Sequence, residues 1–382
     1  MHSRAALHLG ACLALYALAG AACGDDGNSN GLNSTAPTEA GADGTTAVPP
    51  SDGGGGDGGV TSCGGKDCLG GACVDNRCLP STLFVPTTEL IGQAIAIDES
   101  SVYWTTYPPD AGGEQNGAVR RMQLDGGHAQ ILSAGQPTPA LIAADAFGVY
   151  WTAQGTAAQQ YVDGTVSALD KACGDGCVRR LNTGEPNPFP ITVFGGRVFW
   201  GVYGASVIRS TLADGGEVTT LGADGGVVSP LGIAVDATGT YITDGQGVVV
   251  VLSPTGEVAR KFDGGVTPFG VVVDQDNVYW SDVKGNTVSV APKDGGPPAL
   301  IAEAQAMPGV LTQDSTYVYW VNQGTATESF KDGSIARRKK IGCVAPCVET
   351  IARNQPKPTG IAVDATAIYW VVGSGQVMKL AK

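Results

Sequence analysis

We predict an all-β protein, because glycine content, an internal repeat and its spacing all favour short strands joined by turns. The 382 residues include 57 glycines, which weaken helices and supply tight turns. An aromatic-rich pair occurs seven times, at Tyr103-Trp104, Tyr150-Trp151, Phe199-Trp200, Tyr241-Ile242, Tyr279-Trp280, Tyr319-Trp320 and Tyr369-Trp370. The intervals of 38 to 50 residues are those of propeller blades. The sequence therefore predicts a seven-bladed β-propeller.

Each repeat reads as a blade of four strands. The first is a small apolar run such as Gly360–Asp364, and the second carries the aromatic pair. The third resembles Thr287–Gly295, and the fourth is short, as in Pro298–Glu303. The last repeat ends after three strands, so we expect the N-terminal segment Thr82–Glu89 to supply its fourth strand. That pairing would close the ring and remove an exposed sheet edge.

The repeated phrases resemble those of a known propeller group. "VYWTT", "VYWSD", "YITDG" and "GIAVD" are similar to the YWTD and NHL-type β-propellers, over Thr82–Lys382. This resemblance implies a toroid with a central channel that binds through one face. It leaves function open, since the group includes receptor ligand-binding modules, protein-binding sensors and sugar-lactone hydrolases.

The N-terminal segment predicts export. Residues 1–22 combine Arg4 with an apolar run and small residues, as a signal peptide does. "GAAC" then resembles a bacterial lipoprotein signal with Cys23 as the lipidated residue, although Gly20 stands where Leu is usual. We expect an outer-membrane or cell-surface lipoprotein, with a secreted protein as the alternative. Residues 23–60 are rich in Gly, Asp, Ser and Thr and predict a disordered tether.

Eight further cysteines predict disulfide bonds in an exported protein. A module at residues 61–81 holds four of them, for which three pairings are open and zinc is a competing reading. Two pairs with C-x₃-C spacing are expected to close hairpins in the propeller, at residues 82–382. The eight are Cys63, Cys68, Cys73, Cys78, Cys173, Cys177, Cys343 and Cys347.

Charge and composition exclude several functions. The net charge of −13 argues against nucleic acid, which needs clustered Lys and Arg. The exported part has one histidine, His128, after an Asp-Gly-Gly turn where a surface position is expected. We predict no catalytic residue, no metal and no cofactor. Seven apolar residues are expected to face the channel without side-chain oxygen ligands: Ala94, Leu141, Ile191, Gly232, Gly270, Gly309 and Gly360.

A carboxylate precedes the aromatic pair by five residues in every repeat except the third, which has Phe194. Because the residue repeats with the blade, we expect it to hydrogen-bond turn backbone rather than to act in catalysis. We likewise expect the aromatic pairs to pack between blades.

Long connections between the second and third strands distinguish blades 1, 2 and 6. They are Thr105–Gly117, Thr152–Gly164 and Val321–Gly333, and they would form two walls with blade 7 as the gap. Aromatic and polar residues on loops over a rigid scaffold are typical of binding surfaces. The alternative is drift in exposed loops, which tolerate insertions. The candidate ligand-binding residues are Tyr107, Asp110, Glu114, Tyr161, Asp163, Glu328, Phe330 and Asp332.

These observations favour a binding or scaffold protein of the cell envelope over an enzyme. We expect a monomer that engages a protein or a glycan through loops on one face, and a membrane through its lipid anchor only. A hydrolase or lyase of the lactonase-like propeller kind is the second reading, and a structural surface protein is the third.

Overall fold

A computed structural model describes residues 62–109, 115–174, 176–343 and 345–382. Seven antiparallel sheets of four strands follow one another around a ring. The inner strand of each blade contacts the inner strands of both neighbouring blades, and blade 7 contacts blade 1. This closure confirms the predicted seven-bladed β-propeller.

The inner two strands of each blade carry the repeated phrase. The inner strands are Ile91–Ile97, Pro139–Ala144, Pro188–Phe194, Pro230–Asp236, Pro268–Val273, Pro308–Gln313 and Pro358–Val363. The second strands are Ser101–Tyr107, Gly148–Ala153, Arg197–Val202, Gly239–Asp244, Asn277–Asp282, Tyr317–Asn322 and Ala367–Val372.

The outer two strands vary more in length. The third strands are Gly117–Gln123, Gly164–Asp170, Val207–Leu212, Val248–Leu252, Thr287–Pro292, Gly333–Lys339 and Val377–Ala381. The outer strands of blades 1 to 6 are Gln130–Gln136, Val178–Glu185, Thr219–Leu221, Val258–Asp263, Ala299–Ala302 and Val348–Gln355. Short 3-10 turns lie at Ala157–Gln159, Tyr203–Ala205 and Ala326–Glu328.

The outer strand of blade 7 is Ser81–Phe84, which pairs antiparallel with the last strand of the chain. The predicted closure is confirmed, but the strand is shorter than Thr82–Glu89 and begins one residue earlier. Phe84 closes the seam by packing its ring 5.0 Å from that of Trp104 in blade 1. Pro86 follows, and proline cannot donate to a strand ladder.

The module before the propeller consists of two small hairpins. Strands Ser62–Cys63 and Lys66–Asp67 form the first, and Cys73–Val74 and Arg77–Cys78 form the second. The disulfides are Cys63–Cys73 and Cys68–Cys78. Three of these sulfurs lie within 4.8 Å of one another, but disulfide bonding leaves no thiolate to hold zinc. Leu69 and Cys78 pack against the propeller core.

The tryptophans fill the space between blades, as predicted. All six have at most 1% of their surface exposed, and each lies in an apolar cluster shared by two neighbouring blades. Hydroxyl groups on the second strands join the blades at their inner ends. Thr105 donates to the Ala140 carbonyl at 2.7 Å, and Thr152 donates to the Phe189 carbonyl at 2.9 Å.

The repeated aspartate caps the turn after the inner strand in the blades that carry it. Asp98 accepts hydrogen bonds from the backbone N–H groups of Ser100 and Ser101 and from the Tyr103 hydroxyl. Lys171 of blade 2 lies 2.7 Å from the same carboxylate and above the Tyr103 ring. The structural role predicted for the aspartates is therefore confirmed, and lysine adds a contact between blades.

The same pairing of the aspartate with a lysine of the next blade joins other neighbouring blades. Blades 4 and 5, 5 and 6, and 6 and 7 use Asp236 with Lys293, Asp274 with Lys340, and Asp314 with Lys382.

A cavity of about 190 Å³, lined by residues with apolar side chains, occupies the channel. Ala94, Leu141, Ile191, Gly232, Gly270 and Gly360 line it as predicted, but the neighbour of Gly309, Val310, does so in blade 6. The prediction for Gly309 was wrong because Val310, not Gly309, lies four residues before the repeated aspartate, as Gly232, Gly270 and Gly360 do in their blades. The wall also includes Phe269, whose ring lies 6.1 Å from that of Phe189.

Candidate binding face

We define the upper face as the end where second strands connect to third strands and where outer strands lead to the next blade. Antiparallel pairing places both kinds of connection at this end of every sheet. In blades 1, 2 and 6, the glycine that begins the third strand is the 13th residue after the tryptophan. The three long connections thus have one common length.

The connections of blades 2 and 6 also have the same conformation. Each contains a 3-10 turn, Ala157–Gln159 in one and Ala326–Glu328 in the other. Two residues with left-handed backbone follow in both loops, with φ between 52° and 59° at Gln160, Tyr161, Ser329 and Phe330. Non-glycine residues rarely adopt this region, and two consecutive cases in equivalent places indicate a shared, built turn.

An aspartate holds each of these two loops in shape. Asp163 accepts hydrogen bonds from the backbone N–H and the hydroxyl of Thr156, at 2.7 and 2.9 Å. Asp332 accepts the equivalent pair from Thr325, at 2.7 and 2.8 Å. The backbone bond from Thr325 lowers the pKa of Asp332. These two predicted ligand-binding residues therefore face inward and shape the loop.

Backbone hydrogen bonds tie the loops to the neighbouring connections. The Tyr161 carbonyl accepts from the Asn187 N–H, and the Phe330 carbonyl accepts from the Lys357 N–H, both at 2.8 Å. At its other end, the blade 2 loop donates from Gln154 to the Thr138 carbonyl at 3.0 Å. Each loop is therefore fixed at both ends.

The tips of the two loops face solvent. Residues 157–160 and Val162 are exposed in blade 2, and residues 326–329 and Lys331 are exposed in blade 6. Glu328, a predicted ligand-binding residue, lies in the exposed part. Tyr161 and Phe330 are half-buried beneath these tips. The upper face thus presents two similar, rigid, mixed polar and apolar protrusions.

Blade 1 contributes Tyr107, which lies at the end of the second strand. Its hydroxyl accepts a hydrogen bond from Gln93 Nε2 at 2.8 Å, and burial raises its pKa. The remaining two predicted ligand-binding residues, Asp110 and Glu114, lie outside the described residues.

The lower face carries other features of the sequence. The disulfides Cys173–Cys177 and Cys343–Cys347 close hairpins between the third and outer strands of blades 2 and 6. His128 lies exposed at the equivalent turn of blade 1. Across the described ranges, the structure contains no helix with the length and apolar character needed to cross a membrane.

Sequence reasoning missed a set of hydrogen-bond-accepting side chains, two amides and one carboxylate, behind the loops. Gln136, Glu185 and Gln355 end the outer strands of blades 1, 2 and 6 and accept the indole N–H of the next blade's tryptophan. A sequence pattern could have revealed them, because each immediately precedes a Pro-x-Pro stretch: "QPTP", "EPNP" and "QPKP". The same blades have the long loops, so loop and phrase form one unit.

Comparisons with known proteins define the fold class. Neither the protein-family models nor the curated protein sequences give a match. Virginiamycin B lyase from Staphylococcus aureus is similar in structure, with 15% identity, coverage of 79% of this chain and 98% of that one, and a TM-score of 0.60. A catalytically inactive histidine-to-alanine variant of that lyase with quinupristin is 14% identical, with coverage of 79% of this chain and 99% of that one and a TM-score of 0.62. The WD40 propeller domain of Doa1 is 10% identical, with coverage of 79% of this chain and 95% of that one and a TM-score of 0.62. The chain is a β-propeller of the seven-bladed class.

Proposed function

We propose that this protein is a binding module of the cell envelope that engages a protein or a glycan through the loops of blades 2 and 6 on its upper face. The observation that carries the proposal is the duplicated loop. Random sequence change in exposed loops would not keep the same length, the same turn geometry and the same Asp–Thr hydrogen bonds in two blades. A binding role accounts for all three. Rigid loops also lose little conformational entropy on binding.

The proposal includes an anchor. A lipidated Cys23 followed by the tether at residues 23–60 would hold the propeller near a membrane, and the upper face would remain accessible to a partner. The signal peptide and the lipidation lie outside the described residues, and support for them is the sequence "GAAC" with its preceding apolar run.

A lyase is the second candidate, because the structural neighbours include virginiamycin B lyase. The neighbour that lost a histidine is called catalytically inactive. In the part of this chain that the structure describes, the one histidine is His128, which is exposed on the lower face. This placement favours binding over lyase chemistry of that kind.

The test is affinity capture from an envelope extract with the full chain as bait. In one variant, both loops are shortened to the length of the blade 7 turn. In a matched control, the Cys173–Cys177 and Cys343–Cys347 turns of the same two blades are shortened instead. We expect the first variant to lose a partner that the control retains. Equal capture by both variants would contradict the proposal and favour a structural role.

A further inference from the structure

Where blades 6 and 7 meet on the upper face, Lys357 and Gly373 replace the Asn187 and Tyr203 that stand at the equivalent place between blades 2 and 3. We call this place between blades 6 and 7 the Lys357 pocket and define it by Gln323, Phe330, Lys357 and Gly373. Lys357 lies in the connection from blade 6 to blade 7 and beneath the blade 6 loop, to which its N–H is bonded. The pocket therefore lies at the blade 7 gap between the long loops.

At the equivalent place beneath the blade 2 loop, two amide side chains bond to each other. There, Gln154 Nε2 donates to Asn187 Oδ1 at 2.9 Å, and both side chains are buried. Gln323 and Lys357 hold the equivalent sequence positions, and the Lys357 N–H bonds to Phe330 as the Asn187 N–H bonds to Tyr161. The amide pair of blade 2 is thus replaced by an amide and an ammonium group.

A buried oxygen at this place has no partner. Gln323 is 1% exposed, and its Oε1 atom has no hydrogen-bond partner among the described residues. Its amide lies over the inner strand, since a Cβ atom on Gly309 would be 3.2 Å from Nε2. Buried polar groups are nearly always satisfied, and leaving one unsatisfied is costly. A ligand donor would remove that cost.

Lys357 supplies a positive charge from the position that Asn187 holds in blade 2. Its ammonium lies 5.3 Å from the centre of the Phe330 ring, and it forms no ion pair within the described part of the chain. Burial lowers its pKa, because a half-buried ammonium loses hydration. Its stem runs along Gly373, whose absent side chain leaves room: a Cβ atom there would be 3.2 Å from Lys357 Cβ. Blade 3 has Tyr203 at that sequence position.

We propose that the Lys357 pocket binds a sugar acid, as found in an acidic glycan, with the carboxylate at the Lys357 ammonium and a hydroxyl group donating to Gln323 Oε1. One uronic acid residue carries both groups, and a carboxylate is the partner that a half-buried ammonium lacks. The inference rests on the proposed function, whose ligand class it names. It also explains why the equivalent place in blade 2 is closed by Asn187.

The test is calorimetric titration of the full chain with a galacturonic acid trisaccharide and with a neutral galactose trisaccharide. Lys357→Asn copies the amide pair of blade 2 and removes one charge. Lys331→Asn is the matched control, since it removes the same charge from the exposed tip of the same loop. We expect Lys357→Asn to weaken galacturonate binding by about tenfold or more and Lys331→Asn to change it little.

A second variant, Gln323→Leu, separates the hydrogen bond from the charge. We expect it to weaken galacturonate binding without lowering the melting temperature, because the unsatisfied oxygen is gone. Equal effects of Lys357→Asn and Lys331→Asn, or equal binding of the acidic and neutral sugars, would overturn the inference.

Envelope capture with Lys357→Asn separates this inference from the proposed function. A partner lost on loop shortening but retained by Lys357→Asn would leave the binding face correct and the sugar-acid pocket wrong. A partner retained by the loop-shortened chain would contradict the binding face itself.

Discussion

At the scale of single residues, carboxylates set the shape of this propeller on both faces. On the lower face, Asp98 and its equivalents cap turns and accept lysines from the next blade. On the upper face, Asp163 and Asp332 fold the duplicated loops around a threonine. In both places the carboxylate gains hydrogen bonds that exist only in the folded chain.

The lower-face aspartates predict a dependence of stability on acid. Burial opposes ionisation of Asp98 and Asp314, but hydrogen bonds from Lys171 and Lys382 and from turn backbone lower both pKa values. A lowered folded pKa contributes stability that is complete above the unfolded pKa of about 3.9 and is lost as the pH falls through the folded value. We expect the melting temperature to fall below about pH 4. A flat profile from neutral pH down to pH 2 would contradict this.

The tyrosines that bond to these aspartates predict a loss of stability at alkaline pH. Burial, with the hydrogen bond to Asp98, raises the pKa of Tyr103 to about 12. A raised folded pKa contributes stability that is present below the unfolded value of about 10 and is lost as the pH rises through the folded value. Thermal melting in alkaline buffers checks this, and Tyr103→Phe should flatten the loss. An unchanged alkaline profile in that variant would count against the Asp98 contact.

The loop aspartates can be tested separately from the core. We expect Asp332→Ala to speed amide exchange in residues 325–331 by about tenfold, because two hydrogen bonds to Thr325 are lost. Glu328→Ala is the control, since it removes an exposed carboxylate from the same loop. Equal exchange in the two variants would show that Asp332 does not hold the turn.

At the scale of elements, the seam between the two ends of the chain is the distinctive feature. Ser81–Phe84 completes blade 7, and the Phe84 ring contacts Trp104. Trp104 Nε1 is buried without a hydrogen-bond partner in the described residues, whereas Trp151, Trp200 and Trp370 bond to the preceding outer strand. Apolar packing therefore stabilises the seam where the two ends of the chain meet.

This makes Phe84 a sensitive position. We expect Phe84→Ala to lower the free energy of unfolding by about 2–4 kcal/mol, and deletion of Thr82–Glu89 to collapse stability. Phe194→Ala is the control, because the Phe194 side chain is 41% exposed. Denaturant unfolding measures both variants. Equal losses would mean that the closing strand contributes little.

The elements were largely predictable, and the contacts between them were not. The Tyr-Trp phrase fixes one strand per blade, and its spacing fixes the number of blades. By contrast, Lys171 and Asp98 are 73 residues apart in the sequence, and no local pattern pairs them. Asp163 and Asp332 were predicted as ligand-binding residues because a loop carboxylate carries no sign of whether it faces solvent or its own backbone. The cavity-lining residue of blade 6 was itself predictable, because Val310 stands at the same distance from Asp314 as Gly270 does from Asp274.

At the scale of the whole molecule, the two faces of the ring carry different features. The long loops share a face with the blade 7 gap, while the disulfide-closed hairpins of the same blades lie on the other face. We expect that replacement of Cys23 by serine releases the protein from the membrane fraction, because the anchor is lost. Fractionation of cells that express each form checks this. Continued membrane association of the serine variant would contradict the lipid anchor.

The central claim is that the upper face is the binding surface, and amide hydrogen exchange of the full chain tests it most directly. Exchange would be measured alone and with the envelope fraction that the chain captures. Our proposal predicts slower exchange in residues 157–162 and 326–331, with no change in the turns that contain Cys173–Cys177 and Cys343–Cys347. Protection of those lower-face turns instead, with unchanged exchange in both loops, would contradict it.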